Sequence, residues 1–368
     1  MQFSISREAL LKPLQLVAGV VERRQTLPIL SNALLSLQDG QLSLTGTDLE
    51  VELVGRVAVS DDAVGGEITV PARKFMDICK SLPEGARISF SLENQRVIIK
   101  SGRSRFTLST LPASEFPSVE DGPNALSFAV QQQQLKRLID AVSFSMAQQD
   151  VRYYLNGMLL EVNNDYVRTV ATDGHRLALC TLAVPVETTG LRQSILPRKG
   201  VMELMRFLSD TDALVTVMIG SNHLRAQTDE FTFTTKLVDG KFPDYDRVLP
   251  RGGTNLIQAD RNDLRQGFSR AAILSNEKYR GVRLILDENQ LTLVANNPEQ
   301  EEAEETVMVN YSGSVLEIGF NVGYLVDVLS VLSSNNVKIT LGDANSSALI
   351  EADEETSDAV YVVMPMRL

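Results

Sequence analysis

One pattern of residues is written three times along the chain, and this repetition limits the fold more than any single motif does. "FSISREALLKPL" from Phe3 matches "FAVQQQQLKRLI" from Phe128 and "IQADRNDLRQGF" from Ile257, with Leu10, Leu135 and Leu264 in register. "LSLTGTDLE" matches "RTVATDGHR" and "LTLVANNPE", which aligns Asp48, Asp173 and Asn297. "RFTLSTLPASEFPSV" matches "EFTFTTKLVDGKFPDYDRV", bringing Phe116-Pro117 onto Phe242-Pro243. "VPARKFMDIC" returns as "LPRKGVMELM" and, more weakly, as "FNVGYLVDVL", with Asp77, Glu203 and Asp327 in one column. Segments recurring in the same order about 125 residues apart define tandem domains. Their expected bounds are 1–122, 128–250 and 255–368, joined by the turn-rich stretches "EDGPN" and "PRGGTN".

Each repeat further reads as two similar halves. In the first, "QFSIS" precedes an amphipathic helix, and "ILSNALLSL", "QLSLTGTDL" and "EVELVGRVAV" follow as alternating strands. "EITV", a second helix and "RISFSL", "RVIIKS" and "RFTLSTL" repeat the plan. Antiparallel sheets with one helix per half make an α+β domain, with the helices gathered on one sheet face.

Charge supplies the first functional hint. Of the six expected helices five are net positive, and all six together carry +6 in a chain of net charge −12. Arg7, Lys12, Arg73, Lys74, Lys80, Lys136, Arg137, Arg198, Lys199, Arg206, Arg261, Arg265 and Arg270 supply the positive side. The remainder must then be about −18, which separates basic helices from acidic strands and loops. A single basic helix is ordinarily a solvated face. Five of them from three repeats point instead to a basic wall for a polyanion, held by phosphate contacts without base reading. Two further strips stand out: Arg96, Lys100, Arg103 and Arg105 in the first repeat, and Glu299, Glu301, Glu302, Glu304 and Glu305 in the last. Opposite charge on the two ends of a repeat array suggests head-to-tail pairing of two chains, which closes a ring if the rotation fits.

Other functions find little support. The sequence has no Walker A, GxGxxG, HExxH or GxSxG motif. His175 and His223 are its only histidines, and Cys79 and Cys180 its only cysteines, so neither a histidine-rich metal site nor a disulfide framework is expected. Asp173 and His175 resemble an acid–base pair, but the register makes them a strand-end turn shared by all repeats. No catalysis, cofactor or metal is therefore expected. "MQFSISREAL" does not read as a signal peptide and no apolar run is long enough to span a membrane, so a reduced, cytoplasmic setting is expected. The apolar tail "AVYVVMPMRL" reads as a strand followed by the wall of a pocket. A repeat enzyme acting on a polyanion, or a nonspecific architectural binder without topological linkage, remain as alternatives. The former would need convergent acid–base or metal residues, and the latter would hold linear and circular DNA alike.

The motifs "TLPILSN", "LTGTDLE", "VPARKF", "SGRSRF", "QDVRYYLNGM", "VATDGHRLA", "PRKGV", "KLVDGKFPDY", "AILSNEK", "ANNPEQEEAEE" and "YVVMPMRL" resemble those of the bacterial DNA polymerase III beta subunits, the replicative sliding clamps. The resemblance runs over essentially the whole chain. It implies a DNA clamp fold of three similar domains, half of a closed homodimeric ring that encircles duplex DNA. It also implies a clamp-loader ATPase that seats the ring, and replicative and translesion polymerases that dock through short peptides. On the same basis DNA contacts are expected at Arg24, Arg73, Lys74, Gln149, Tyr153, Tyr154 and Lys199. The partner-peptide pocket is expected at Leu155, Thr172, Gly174, His175, Arg176, Leu177, Pro243, Arg247, Val248, Tyr324, Ser347, Val362, Met364, Pro365, Met366 and Arg367. The dimer contact is expected at Lys74, Ile78, Arg96, Arg103, Arg105, Ile273, Leu274, Glu299, Glu301, Glu302 and Glu305.

Overall fold

The computed structural model describes residues 1–21, 27–60, 62–117, 119, 126–354 and 357–367. The first repeat runs β1 (Gln2–Ser6), α1 (Arg7–Val20), β2 (Asn32–Gln38), β3 (Gln41–Thr47), β4 (Val51–Ala58), β5 (Gly66–Pro71), α2 (Ala72–Ser81), β6 (Arg87–Glu93), β7 (Arg96–Ser101) and β8 (Ser104–Ser109). The second repeats this order as β9 (Leu126–Gln131), α3 (Gln132–Ser143), β10 (Gly157–Asn163), β11 (Tyr166–Thr172), β12 (Arg176–Ala183), β13 (Arg192–Pro197), α4 (Arg198–Phe207), β14 (Leu214–Ile219), β15 (His223–Gln227) and β16 (Phe231–Lys236). The third gives β17 (Asn255–Asp260), α5 (Arg261–Ala271), β18 (Gly281–Asp287), β19 (Gln290–Asn296), β20 (Glu302–Met308), β21 (Leu316–Asn321), α6 (Val322–Val331), β22 (Asn336–Leu341), β23 (Ala348–Ala352) and β24 (Ala359–Val363).

The halves of each repeat exchange their first strands. β1 pairs with β6 and β5 with β2; β9 with β14 and β13 with β10; β17 with β22 and β21 with β18. Every pairing is antiparallel. The register also fixes how the second helices align. Asn32 faces Pro71, Gly157 faces Pro197 and Gly281 faces Asn321, so Arg73 corresponds to Lys199 and Ala72 to Arg198. "ILSNALLSL" is likewise not all strand. Pro28–Ser31 forms a 3-10 turn, because Pro28 has no amide proton for a ladder, and the strand begins at Asn32.

Compact packing does not follow the repeats. One unit holds residues 1–136 and 199–237; the other holds 137–198 and 238–368. In the first, β1-β6-β7-β8 form one sheet and β5-β2-β3-β4-β16-β15-β14-β9 another, so β4 of the first repeat is zipped to β16 of the second. In the second unit β12 is zipped to β24 in the sheet β13-β10-β11-β12-β24-β23-β22-β17, and β20-β19-β18-β21 form the smaller sheet.

The repeated apolar positions are the cores. Phe3, Leu10, Phe128, Leu135, Ile257 and Leu264 are all buried. In the first unit Ser6 caps α1 by accepting from the Ala9 amide, and Leu10, Leu14 and Val17 turn inward. Helix α1 lies close on β4 because Gly55 has no side chain; a Cβ there would stand 2.8 Å from Cβ of Pro13. In the second unit Asp260 is not part of the helical charge: it caps α5, accepting from the Asn262 and Asp263 amides. Among the described residues no helix is long and apolar enough to cross a membrane.

Candidate nucleic-acid and peptide interfaces

The helical cations prove less free than their number implies. In the first unit Arg7 donates from Nε to the Cys79 carbonyl (3.1 Å) and from Nη2 to that of Lys80 (3.3 Å), at the C-terminal end of α2. Arg73 donates to the Val21 carbonyl beyond α1 (2.8 Å). In the second unit Arg261 serves the end of α6 in the same way, at Leu329 (3.0 Å) and Ser334 (2.8 Å). Carbonyls left over at a helix C-terminus carry partial negative charge, so these arginines stabilise their own repeat. Lys12, Lys136, Arg137, Arg206 and Arg270 are held by Glu230, Asp210, Asp358, Glu203 and Glu305. The sum of +6 therefore overstates the charge offered to a polyanion.

Of the expected DNA contacts, Arg24 lies outside the described residues. In the first unit Arg73 is half-buried on its carbonyl, and Lys74 is exposed. Lys199 is paired with the buried carboxylate of Asp48. Gln149, Tyr153 and Tyr154 belong to the second unit, on the loop between α3 and β10. Gln149 takes a left-handed backbone (φ 56°), and the loop is organised from there by Asp150. Its carboxylate accepts the Arg152 amide and guanidinium and its amide donates to Asn156 Oδ1 (2.9 Å). Hydrogen bonds from Arg152 hold the Asp150 carboxyl down at about 2. Gln149 and Tyr153 face solvent, whereas Tyr154 packs edge-on to Tyr153 and onto an apolar cluster below.

That cluster underlies the expected peptide pocket, all of which lies in the second unit. Leu159, Val170, Leu177, Leu179, Ile195, Phe242, Tyr245 and Val362 form it, with Val248 and Leu349 partly covering it. Above it a turn links β11 to β12. Thr172 Oγ1 donates to the Arg176 carbonyl (2.6 Å), while Asp173 accepts the His175 and Arg176 amides. Gly174 sits at φ 90° with the Arg152 guanidinium 3.0 Å from where a Cβ would stand. Asp173 is thus the turn's own acceptor, as is Asp48, which takes the Glu50 and Val51 amides. The third repeat differs, with Asn297 accepting the Glu301 amide.

Arg176 joins the walls. It pairs with Asp173 (3.0 Å) and Asp327 (2.6 Å), donates to the Phe144 carbonyl, and lies between the rings of Phe144 and Tyr324. Leu155, Leu177 and Val362 are buried, the last two within the cluster. Met364, Pro365 and Met366 are half-buried, while Pro243, Arg247 and Arg367 are exposed at the rim. The tail is tied down past its strand: the Met364 amide donates to the His175 carbonyl (2.9 Å) and that of Met366 to Gly319 (2.8 Å). A cavity of about 700 Å³ lined by Arg247, Val248, Ser347 and Leu349 continues alongside.

One feature beneath the cluster escaped the sequence reading. Glu161 is buried, with Tyr166 and Tyr245 hydroxyls donating to it at 2.8 and 2.9 Å, Gln193 at 2.8 Å and Arg168 within 3.6 Å. Burial pushes the Tyr245 phenol up to about 12, so it stays a donor. A lone acid in the apolar run "GMLLEVN" was its only signal.

The sheet edges are not all closed. β4 pairs with β16 and β12 with β24, but β8 and β20, in the corresponding places, each end a sheet without a neighbour among the described residues. Arg96, Lys100, Arg103 and Arg105 are exposed along the β7–β8 edge. Glu302 and Glu304 are exposed along β20 and Glu299 and Glu301 on the turn before it, while Glu305 is half-buried and held through both oxygens by Arg270 (2.8 Å each). Ile273, 76% exposed, and the half-buried Leu274 stand beside that edge; on α2, Ile78 is half-buried.

Residues 1–120, 129–244 and 246–367 match the N-terminal, central and C-terminal domains of the DNA polymerase III beta subunit. The chain belongs to that family. A beta sliding clamp of Pseudomonas putida is 63% identical over 368 residues and one of Escherichia coli 56% identical over 368, each covering all of both chains. A crystal structure of a sliding clamp from Pseudomonas aeruginosa bound to griselimycin superposes with a TM-score of 0.98 at 64% identity, again over the whole of both chains. The three tandem α+β repeats are thus those of the beta clamps, and the chain is a polymerase processivity factor that partners DNA and DNA polymerase.

Proposed function

We propose that two chains close head to tail into a ring around duplex DNA, each β8 adding to the other's β20. The observation that carries this reading is the pair of open edges. Every other position of that kind in the repeats is already zipped into an eight-stranded sheet. An unpaired edge is a template for another strand, and here one is basic and the other acidic. Ile273 and Leu274 supply apolar area beside the ladder, with Lys74 and Ile78 on the facing side. Inside the ring, Arg24, Arg73, Lys74, Gln149, Tyr153, Tyr154 and Lys199 touch phosphates without reading sequence, so the protein slides and processivity comes from linkage instead of affinity. The groove from Leu155 to Arg367 takes short peptides of replicative and translesion polymerases and of the clamp-loader ATPase that opens the ring, its apolar floor giving affinity and Arg176, His175 and the rim giving orientation. We assign the protein no catalytic step and place it in the cytoplasm, on the nucleoid.

Charge reversal tests the edge. Arg103→Glu with Arg105→Glu should convert dimers to monomers in sedimentation, and adding Glu301→Arg with Glu302→Arg should restore dimers. Dimers that survive the first pair unchanged would count against the β8–β20 contact.

A further inference from the structure

The expected DNA contacts leave the third repeat empty, and its second helix, α6, is the one that carries no cation. The loop that opens each first-half sheet answers this. It runs to Ser31 in the first repeat, to Asn156 in the second and to Arg280 in the third, each just before the equivalent residues Asn32, Gly157 and Gly281. In all three it is bound to the N-terminal turn of its own repeat's second helix. Arg73 holds the Val21 carbonyl at 2.8 Å, Arg198 that of Met146 at 3.4 Å, and Asn321 that of Tyr279 at 3.3 Å. In the first two repeats that turn is basic, at Arg73-Lys74 and Arg198-Lys199; in the third it is Val322-Gly323. The missing pair of charges reappears on the loop itself as Lys278 and Arg280, flanking Tyr279.

The loop is built to present them. Asn276 Oδ1 accepts the Lys278 and Tyr279 amides at 2.9 Å, and its carbonyl accepts the Arg280 amide at 2.8 Å. Arg280 has a left-handed backbone (φ 53°), Tyr279 is 57% exposed, and the Lys278 ammonium lies 5.0 Å from its ring centre. Glu277 is the acid on the loop, and it too is exposed. We propose that Lys278, Tyr279 and Arg280 form the third repeat's contact with the phosphodiester backbone of duplex DNA. This rests on the reading that the equivalent loops of the first two repeats, carrying Arg24 and Gln149, face DNA.

The test is a low-salt anisotropy titration of a labelled duplex with the full-length protein, repeated across salt. Each phosphate contact contributes about 0.9 to the slope of log K against log salt. Lys278→Ala with Arg280→Ala should lower the slope by about 1–2, with the dimer unchanged in sedimentation, and Lys278→Arg should keep it. An unchanged slope for this pair, with a lowered slope for Arg24→Ala with Gln149→Ala, overturns the third contact and spares the first two. If neither pair moves the slope, the reading of the loops as DNA contacts fails as a whole. Loss of the dimer in place of the slope would assign the loop to the neighbouring Ile273 edge and overturn the proposal.

Discussion

The join of β4 to β16 and the join of β12 to β24 are built alike, yet the turns that open their strands are tied and lined differently. In both, a threonine and an aspartate shape the turn before the strand, Thr47 with Asp48 and Thr172 with Asp173. In both, a cation ties that aspartate to the second helix of the following repeat. At the first join the cation comes from the helix, as Lys199 on Asp48. At the second it comes from the strand, as Arg176, which reaches from Asp173 to Asp327. With the cation on the strand, the helix position of Lys199 is taken by Gly323, and Tyr324, one residue on, stacks on the Arg176 guanidinium. The following strand residue is Glu52 at the first join, accepting the Val119 amide, and buried Leu177 at the second. One architecture thus gives a polar seal or an apolar floor, depending on two neighbouring residues.

The sharpest way to break this difference is to import the first join into the second. Leu177→Glu puts an unpaired carboxylate into the cluster and should cost about 3–5 kcal/mol in urea unfolding, with binding of a polymerase-derived peptide lost. Removing the tie beside the cluster comes next. Arg176→Ala leaves Asp173 and Asp327 without their cation and should cost about 2–3 kcal/mol, again with weakened peptide binding. Lys199→Ala, the matching change at the first join, should cost about 1–2 kcal/mol because Asp48 stays buried, and the peptide titration should be unchanged. A drop in peptide affinity there would erase the distinction between the joins. Tyr324→Ala should weaken the peptide about fivefold, near 1 kcal/mol, with unfolding little affected.

The smallest effect is one of pH. Asp150, with its carboxyl held at about 2 against an ordinary 3.8, stabilises its loop at every pH above its unfolded value. That contribution falls away only as pH drops from near 4 toward 2. Following the carboxyl by NMR should give a midpoint near 2, returning toward 3.8 in Arg152→Ala.

Much of this could be read from the residues alone. Leu10, Leu135 and Leu264 marked the repeat and are buried together with their partners Phe3, Phe128 and Ile257. The charged strips lie beside β8 and β20, the two half-repeat end strands that are not zipped to another repeat among the described residues. The turn at Asp173 was read as a turn, and its hydrogen bonds are a turn's. What the residues could not reveal was which strand meets which across repeats. Period-two alternation in β4 and β16 is satisfied by any neighbour on that edge, so the division of the second repeat between two compact units left no trace in composition. The use of Arg7, Arg73 and Arg261 on helix-end carbonyls was hidden for a similar reason, since their acceptors lie about 50–75 residues away. Counting charge along helices measured supply without demand.

The most direct test of the ring is retention on DNA. Protein loaded onto a nicked circular duplex and washed at raised salt should stay bound, and a single cut that linearises the circle should release it within the time of sliding to an end. Equal retention on circle and linear duplex would contradict topological linkage and return the chain to ordinary groove binding.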